Sequence, residues 1–278
     1  ALYGLYFLAY NLRAGYPYVS YTLSAISFIM LIAVPILTMR SMAEERHSRT
    51  DQLVLTAPVS LGKMIFGKFL AMVGVFTVAV AVIAVTPLVL AAFGTVPMGE
   101  NYVAVLGFWL YGCTCIAVGM LASALTESQV IAAVVAFAFL FLGYMMNSIT
   151  GLIGDHLITK VLGAYDLYTP LQSFMSGCLD LTGVVYFVSV TALCLFLTCQ
   201  CVQKRRWSMT TKKLTTGMFS VAMIVVGFAV AVAVNMVVKE MPSSWTAVDA
   251  TSTKLYSLTD TTKDYVKNLS QDVTIYVL

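Results

Sequence analysis

Residues 39–68, MRSMAEERHSRTDQLVLTAPVSLGKMIFGK, form the longest polar stretch in the first 150 residues. Uncharged runs at 14–39 and 69–99 flank it, each longer than the ~20 residues that cross a hydrocarbon core. A polar stretch so placed is a loop on one face of a membrane. It carries Arg40, Arg46, Arg49, Lys63 and Lys68 against Glu44, Glu45 and Asp51. Short loops rich in Lys and Arg stay cytoplasmic, so residues 40–68 are assigned there.

The same stretch predicts local structure. Ser41 followed by Glu44 fits a capping box at a helix start, and Glu45 and Arg49 stand one turn apart in the favoured order. Helical pattern runs to about Leu55, where Pro58 forces a stop. Ser60 is placed to cap the next helix, which enters the membrane with Lys63 and Lys68 on its first two turns. The expected result is a short, rigid, charged elbow rather than a tether.

The fold class follows from the composition around this elbow. Hydrophobic residues make up 60% of the chain and charged residues only 10%, far outside the soluble range. Further uncharged runs lie at 101–126, 128–154, 181–203 and 214–238. The chain therefore reads as an all-α polytopic membrane protein with six complete spans, at about 21–39, 66–92, 102–124, 129–149, 182–202 and 217–238. The opening residues, ALYGLYFLAYNL, are apolar but reach only about 18 Å as a helix against a core of about 30 Å. They read as the end of a truncated first span. The closing residues, DVTIYVL, read as a strand without a partner, and the sequence as a fragment cut at both ends.

Alternation from the elbow places 11–20, 93–101 and 150–180 outside, and the turn around Glu127 and the segment 203–213 inside. Segment 203–213, QKRRWSMTTKK, has five basic residues and no acidic one, which agrees with that assignment. The two large inside loops bear ten of the sixteen Lys and Arg, whereas the outside loops before the last span bear only Arg13 and Lys160. The C-terminus is then extracytoplasmic, and its order of amphipathic helix (257–269) and strand (272–278) suggests the start of an α/β domain. Residues 150–180, punctuated by Gly151, Gly154, Gly163, Pro170 and Gly177, are suited to lie in the interface or to dip back into the bundle.

Several chemistries are disfavoured by the residues themselves. Gly62, Gly67 and Lys68 match a phosphate-loop spacing, but Phe69 stands where Ser or Thr must hold Mg²⁺ and no strand precedes the segment. Cys113 with Cys115, and Cys199 with Cys201, point about 200° apart on a helix, so neither pair can share one metal ion. His47 and His156 fall on opposite faces. Asp155, Asp166 and Asp180 read as loop solvation. Spans free of titratable groups disfavour an ion-coupled carrier, and a net charge of +3 implies no nucleic-acid partner.

FIMLIAVPILTMRSMAEERHSRTDQLVLTAPVSLGKMIFGKFLA (28–71), followed by a span with a Pro near its end and by GMLASALTESQVIAAVVAF (119–137), closely resembles bacterial ABC transporter permeases of the type-2 export class, in particular the gliding-motility-associated GldF-like group. Residues beyond about 207, above all KLYSLTDTTKDYVKNLSQDVTIYVL (254–278), resemble the start of a GldG-like auxiliary subunit. The resemblance implies a permease domain over 1–206, a linker and anchor helix over 207–240, and the start of an extracytoplasmic domain over 241–278. It implies a non-catalytic, multi-pass subunit of a prokaryotic cell membrane, working as a dimer of permease halves. ATP would be bound by a separate cytosolic ATPase, with no cofactor in this chain. The ATPase-facing residues it implies are Glu44, Glu45, Arg46, Thr50, Asp51, Gln52 and Glu127. Two other functions are weighed beside export: an ATP-driven mechanical transmitter acting on the extracytoplasmic domain, and an ion-coupled carrier.

Overall fold

Burial in the third span falls at Ile65, Phe69, Val73, Phe76, Val80, Ile83 and Leu90, steps of three and four that trace one face of a helix. The other faces expose Val75, Val78 and Val82, as a helix bordered by lipid would. In the computed structural model, which describes residues 2–48, 60–153, 163–207, 213–241 and 246–251, this helix is Leu61–Ala91. Ordered along the chain, α1 spans Leu2–Phe7 and continues as a π-helix over Leu8–Arg13; α2 is Ser20–Thr38, α3 Arg40–His47, α4 Leu61–Ala91, α5 Met98–Leu125 and α6 Gln129–Ile153. A 3-10 turn at Gly163–Tyr165 then leads into α7 (Tyr168–Met175), β1 (Cys178–Asp180), α8 (Leu181–Trp207), α9 (Lys213–Lys239) and β2 (Ala247–Asp249). Among the described residues six helices are long and apolar enough to cross a membrane, so the chain is an all-α multi-pass membrane protein.

The bundle is built round α5. Its apolar window is 83% buried, against 22% for α4 and 28% each for α6 and α8. Because lipid is as apolar as Leu, helices in a membrane gain most from close approach, which small residues permit. Helix α5 supplies three such points. A Cβ at Gly107 would lie 2.3 Å from Phe174 of α7, at Gly112 2.2 Å from Phe76 of α4, and at Gly119 2.2 Å from Thr38 of α2. Polar side chains add bonds at other heights. Trp109 Nε1 donates to Thr77 Oγ1 at 2.9 Å, and the Thr114 hydroxyl donates to the Phe187 carbonyl at 3.2 Å.

Of the two placements left open for 150–180, interface or re-entry, the described part packs back into the bundle. The Leu167 N–H donates to the Gly143 carbonyl at 3.1 Å, and Gly143 lies about 15 Å along α6 from its Ile153 end at 1.5 Å per residue. Leu167, Leu171 and Phe174 are buried among α2, α5, α6 and α8. Irregular backbone is tolerated at such depth only where protein satisfies it, and α7 with its flanking turn meets that condition. Helix α9 packs on α8, where Asn235 Nδ2 donates to Ser189 Oγ at 2.7 Å.

Two local expectations, the caps at Ser41 and Ser60, are corrected. Ser41 does not start a helix: Met39 is itself helical (φ −54°, ψ −33°) with no side-chain cap, so the chain runs nearly unbroken from α2 into α3. Helix α3 closes at His47, where the Ser48 N–H and hydroxyl both fold back on the Glu44 carbonyl at 3.0 and 2.8 Å. The continuation expected to Leu55, with Arg49 as partner of Glu45, lies outside the described residues. Ser60 does stand at the start of α4 with an extended backbone, but its hydroxyl makes no capping bond. The helix and strand expected over 257–278 also lie outside the described residues.

Candidate functional site

The elbow is fastened to the bundle by one small side chain. Where α2 passes into α3, the backbone N–H groups of Met42 and Ala43, at the start of α3, face α5. There Ser123 Oγ accepts both, at 3.1 and 3.0 Å, and donates to the Met39 carbonyl at 3.0 Å. Ser123 and Ala43 are fully buried and Met42 nearly so. The capping that Ser41 fails to provide is thus supplied from 81 residues away, by a hydroxyl on the central helix. Hydroxyl acceptors at helix starts satisfy otherwise orphan donors, and here the same atom also joins two helices.

Two charged contacts complete the joint. Lys68, on the second turn of α4, pairs with Glu45 and donates to the Ser41 carbonyl at 3.1 Å. Arg46 Nη2 donates to Glu127 Oε1 at 2.7 Å, tying α3 to the turn between α5 and α6. Arg46 Nη1 and Ser41 Oγ are buried with no partner among the described residues. Outward, α3 exposes Arg40, Glu44 and His47. The elbow therefore has an anchored side, bonded to α4, α5 and the α5–α6 turn, and an exposed charged side.

Of the residues that sequence singled out, the structure joins Arg46 to Glu127, seats Glu45 on Lys68 and leaves Glu44 exposed. Thr50, Asp51 and Gln52 lie outside the described residues. Sequence reading missed Ser123, because a Ser within GMLASAL is locally indistinguishable from a small packing residue. It gave Lys68 only a place on the first two turns of the entering helix, whereas its ammonium lies against α3. Among the described residues no His, Cys, Asp and Glu gather as a metal site.

Comparison with known proteins gives one match. Residues 14–233 match the model described as ABC-2 family transporter protein, a stretch that takes in α2 to α8 and most of α9. No curated protein and no solved structure matches the chain.

Proposed function

Since the chain belongs to the ABC-2 family of transporter proteins, we propose that it is the transmembrane permease subunit of an ATP-driven exporter, worked from the cytosol by a separate ATPase chain that grips the elbow. In this reading loops 40–68 and 203–213 face the cytoplasm of a prokaryotic cell and the end of α9 faces outward. Two permease halves assemble around the transport path. The finer likeness, a GldF-like permease (1–206) joined by an anchor (207–240) to the start of a GldG-like domain (241–278), is part of the same proposal.

The observation that carries it is the Ser123 joint. A push on α3 is delivered through three backbone bonds to the most buried helix of the bundle, and from there to α2, α4, α6, α7 and α8, all of which pack on α5. The exposed face of α3 supplies Glu44, with Thr50, Asp51 and Gln52 following in sequence and Glu127 beside it, as the surface for the ATPase. Reversing Glu44, Glu45 and Asp51 to Lys tests the reading. Permease reconstituted with its ATPase should lose stimulation of ATP hydrolysis while the purified subunit keeps its helical content; unchanged stimulation would remove the elbow from the mechanism.

A second reading, that ATP hydrolysis drives an extracytoplasmic domain without moving cargo, is favoured by one specific observation: the segment after α9 pairs with β1 of the re-entrant region. ATP-dependent flux in vesicles from a chain ending after α9 would eliminate it. The ion-coupled carrier draws no support from the spans, whose central turns hold no Asp, Glu, His, Lys or Arg.

A further inference from the structure

Strand β2 lies antiparallel to β1, with Asp249 opposite Cys178, Val248 opposite Leu179 and Ala247 opposite Asp180. The contact extends past the strands. The Ala250 N–H donates to the Gly177 carbonyl at 3.2 Å, and Gly177 holds φ +78°, a left-handed turn that glycine adopts without strain. On its other side the segment rests on the start of α5, since a Cβ at Gly99 would lie 2.9 Å from the Ala250 carbonyl oxygen. Thr246 and Thr251, polar residues at its two ends, are buried. Asp249 accepts from the Thr251 N–H at 2.9 Å and from its hydroxyl at 2.5 Å, which turns the segment back on itself. Six residues that follow a peripheral helix are thereby wedged between β1 and the central helix.

Strand β1 is one bend away from α7. The Ser176 and Gly177 N–H groups return to the Gln172 and Phe174 carbonyls, so the bend is rigidly joined to the helix. Phe174 is fully buried, seated where Gly107 of α5 and Gly183 of α8 leave room; Cβ atoms there would come within 2.3 and 2.8 Å of it. Helix α7 has eight residues, too few to persist without tertiary support. Support comes at its start from the Leu167–Gly143 bond and at its end from the Gly177–β1 bend, and the second of these is held by β2.

We propose that residues 246–251 are a latch: paired with β1 and seated on Gly99, they hold α7 in its socket between Gly107 and Gly183, and their release lets α7 leave it. The latch works on the re-entrant helix at the end of the bundle opposite the elbow. It goes beyond the ATP-driven reading and does not rest on it, because opening of α7 is measurable in the chain alone. Burial, and after it the carboxylates of Asp180 and Asp249, push the Cys178 thiol up, as expected of strands that face each other closely.

The test uses Cys178 itself. Asp249→Cys places a second thiol directly opposite, and opposed residues of antiparallel strands have Cα atoms about 4.5–5.5 Å apart, within disulfide reach. Amide hydrogen exchange of 168–175 is followed in the full chain in lipid nanodiscs, oxidised and then reduced. The disulfide should form and slow exchange of α7 by about tenfold relative to the reduced form, with no redox response in Asp249→Cys/Cys178→Ser. Gly99→Ala, which pushes on the Ala250 backbone, should speed α7 exchange by about tenfold while α4 and α6 stay unchanged. If Gly99→Ala raises exchange in every helix it has lost the fold, and the oxidised and reduced Asp249→Cys pair decides. Absence of the disulfide, or equal α7 exchange in its presence and absence, would overturn the latch.

Discussion

The two ends of α5 solve the same problem with different residues. At one end Ser123 binds the backbone where α2 ends; at the other Asn101, nearly fully buried, binds it where α2 begins. Asn101 Oδ1 accepts from the Val19 N–H at 2.7 Å, and its amide donates to the Pro17 carbonyl at 3.1 Å. Each end of α2 is thus pinned to the central helix by one short polar side chain. The surroundings differ. Around Ser123 lie Glu45, Arg46, Lys68 and Glu127, with charge turned outward. Around Asn101 lie Asn11, which accepts from Thr22 Oγ1 at 2.7 Å, and the wedge of Gly99, Gly177 and Ala250, flanked by the carboxylates of Glu100, Asp180 and Asp249. One end carries charges of both signs on an exposed helix face, and the other is covered by the chain's own residues 246–251.

Substitutions that overfill or unpin these ends separate the two roles. Gly107→Ala, at the closed end, should act most strongly on stability. Its Cβ would meet Phe174 Cβ, an atom fixed to the backbone, and overpacking of this kind costs about 3 kcal/mol. A drop in the thermal midpoint of the purified subunit reads it. Ser123→Ala should come next at about 2 kcal/mol, because it removes from a buried joint the hydroxyl that accepts from the Met42 and Ala43 N–H groups and donates to the Met39 carbonyl. It should also abolish ATPase stimulation, since the elbow is then no longer bonded to α5. Asn101→Ala orphans one N–H and one carbonyl and should cost about 1–2 kcal/mol with stimulation per folded molecule unchanged. Equal loss of stimulation in the Ser123 and Asn101 variants would erase the distinction between the ends.

The contrast also marks what sequence makes legible. Apolar runs of more than twenty residues fix where membrane helices lie, because a helix must satisfy its own backbone and bury or expose a whole face in lipid. The expected spans at 21–39, 102–124 and 129–149 accordingly fall on Ser20–Thr38, Met98–Leu125 and Gln129–Ile153, with differences at the ends. The joints are another matter. Ser41 and Glu44 carry a capping signature, yet the hydroxyl that caps this backbone belongs to Ser123, and no local pattern encodes a partner 81 residues away. The pairing of 178–180 with 247–249 is likewise set by where α8 and α9 leave the chain, not by any alternation within three residues. Of the residues that the family resemblance implies, Glu45, Arg46 and Glu127 take part in ion pairs; that two of them pair with each other and the third with Lys68 is a property of helix packing.

The smallest expected effect on stability is at the Arg46–Glu127 pair, and it sharpens the comparison most. Glu127 is 70% exposed and Arg46 17%, so the Coulomb gain is screened and the pair should contribute about 0.2–1 kcal/mol. A double-mutant cycle of Arg46→Gln and Glu127→Gln on the thermal midpoint should return a coupling in that range, falling as salt is raised. Its weight lies elsewhere. Ser123 fixes the elbow to α5 on its buried side, whereas the Arg46–Glu127 bond ties it to the α5–α6 turn. Glu127→Gln should therefore leave folding nearly unchanged and weaken ATPase stimulation several-fold, with Glu127→Asp intermediate. Should stimulation follow the small stability change instead, the pair is a solvated surface contact and α3 is held by Ser123 and Lys68 alone.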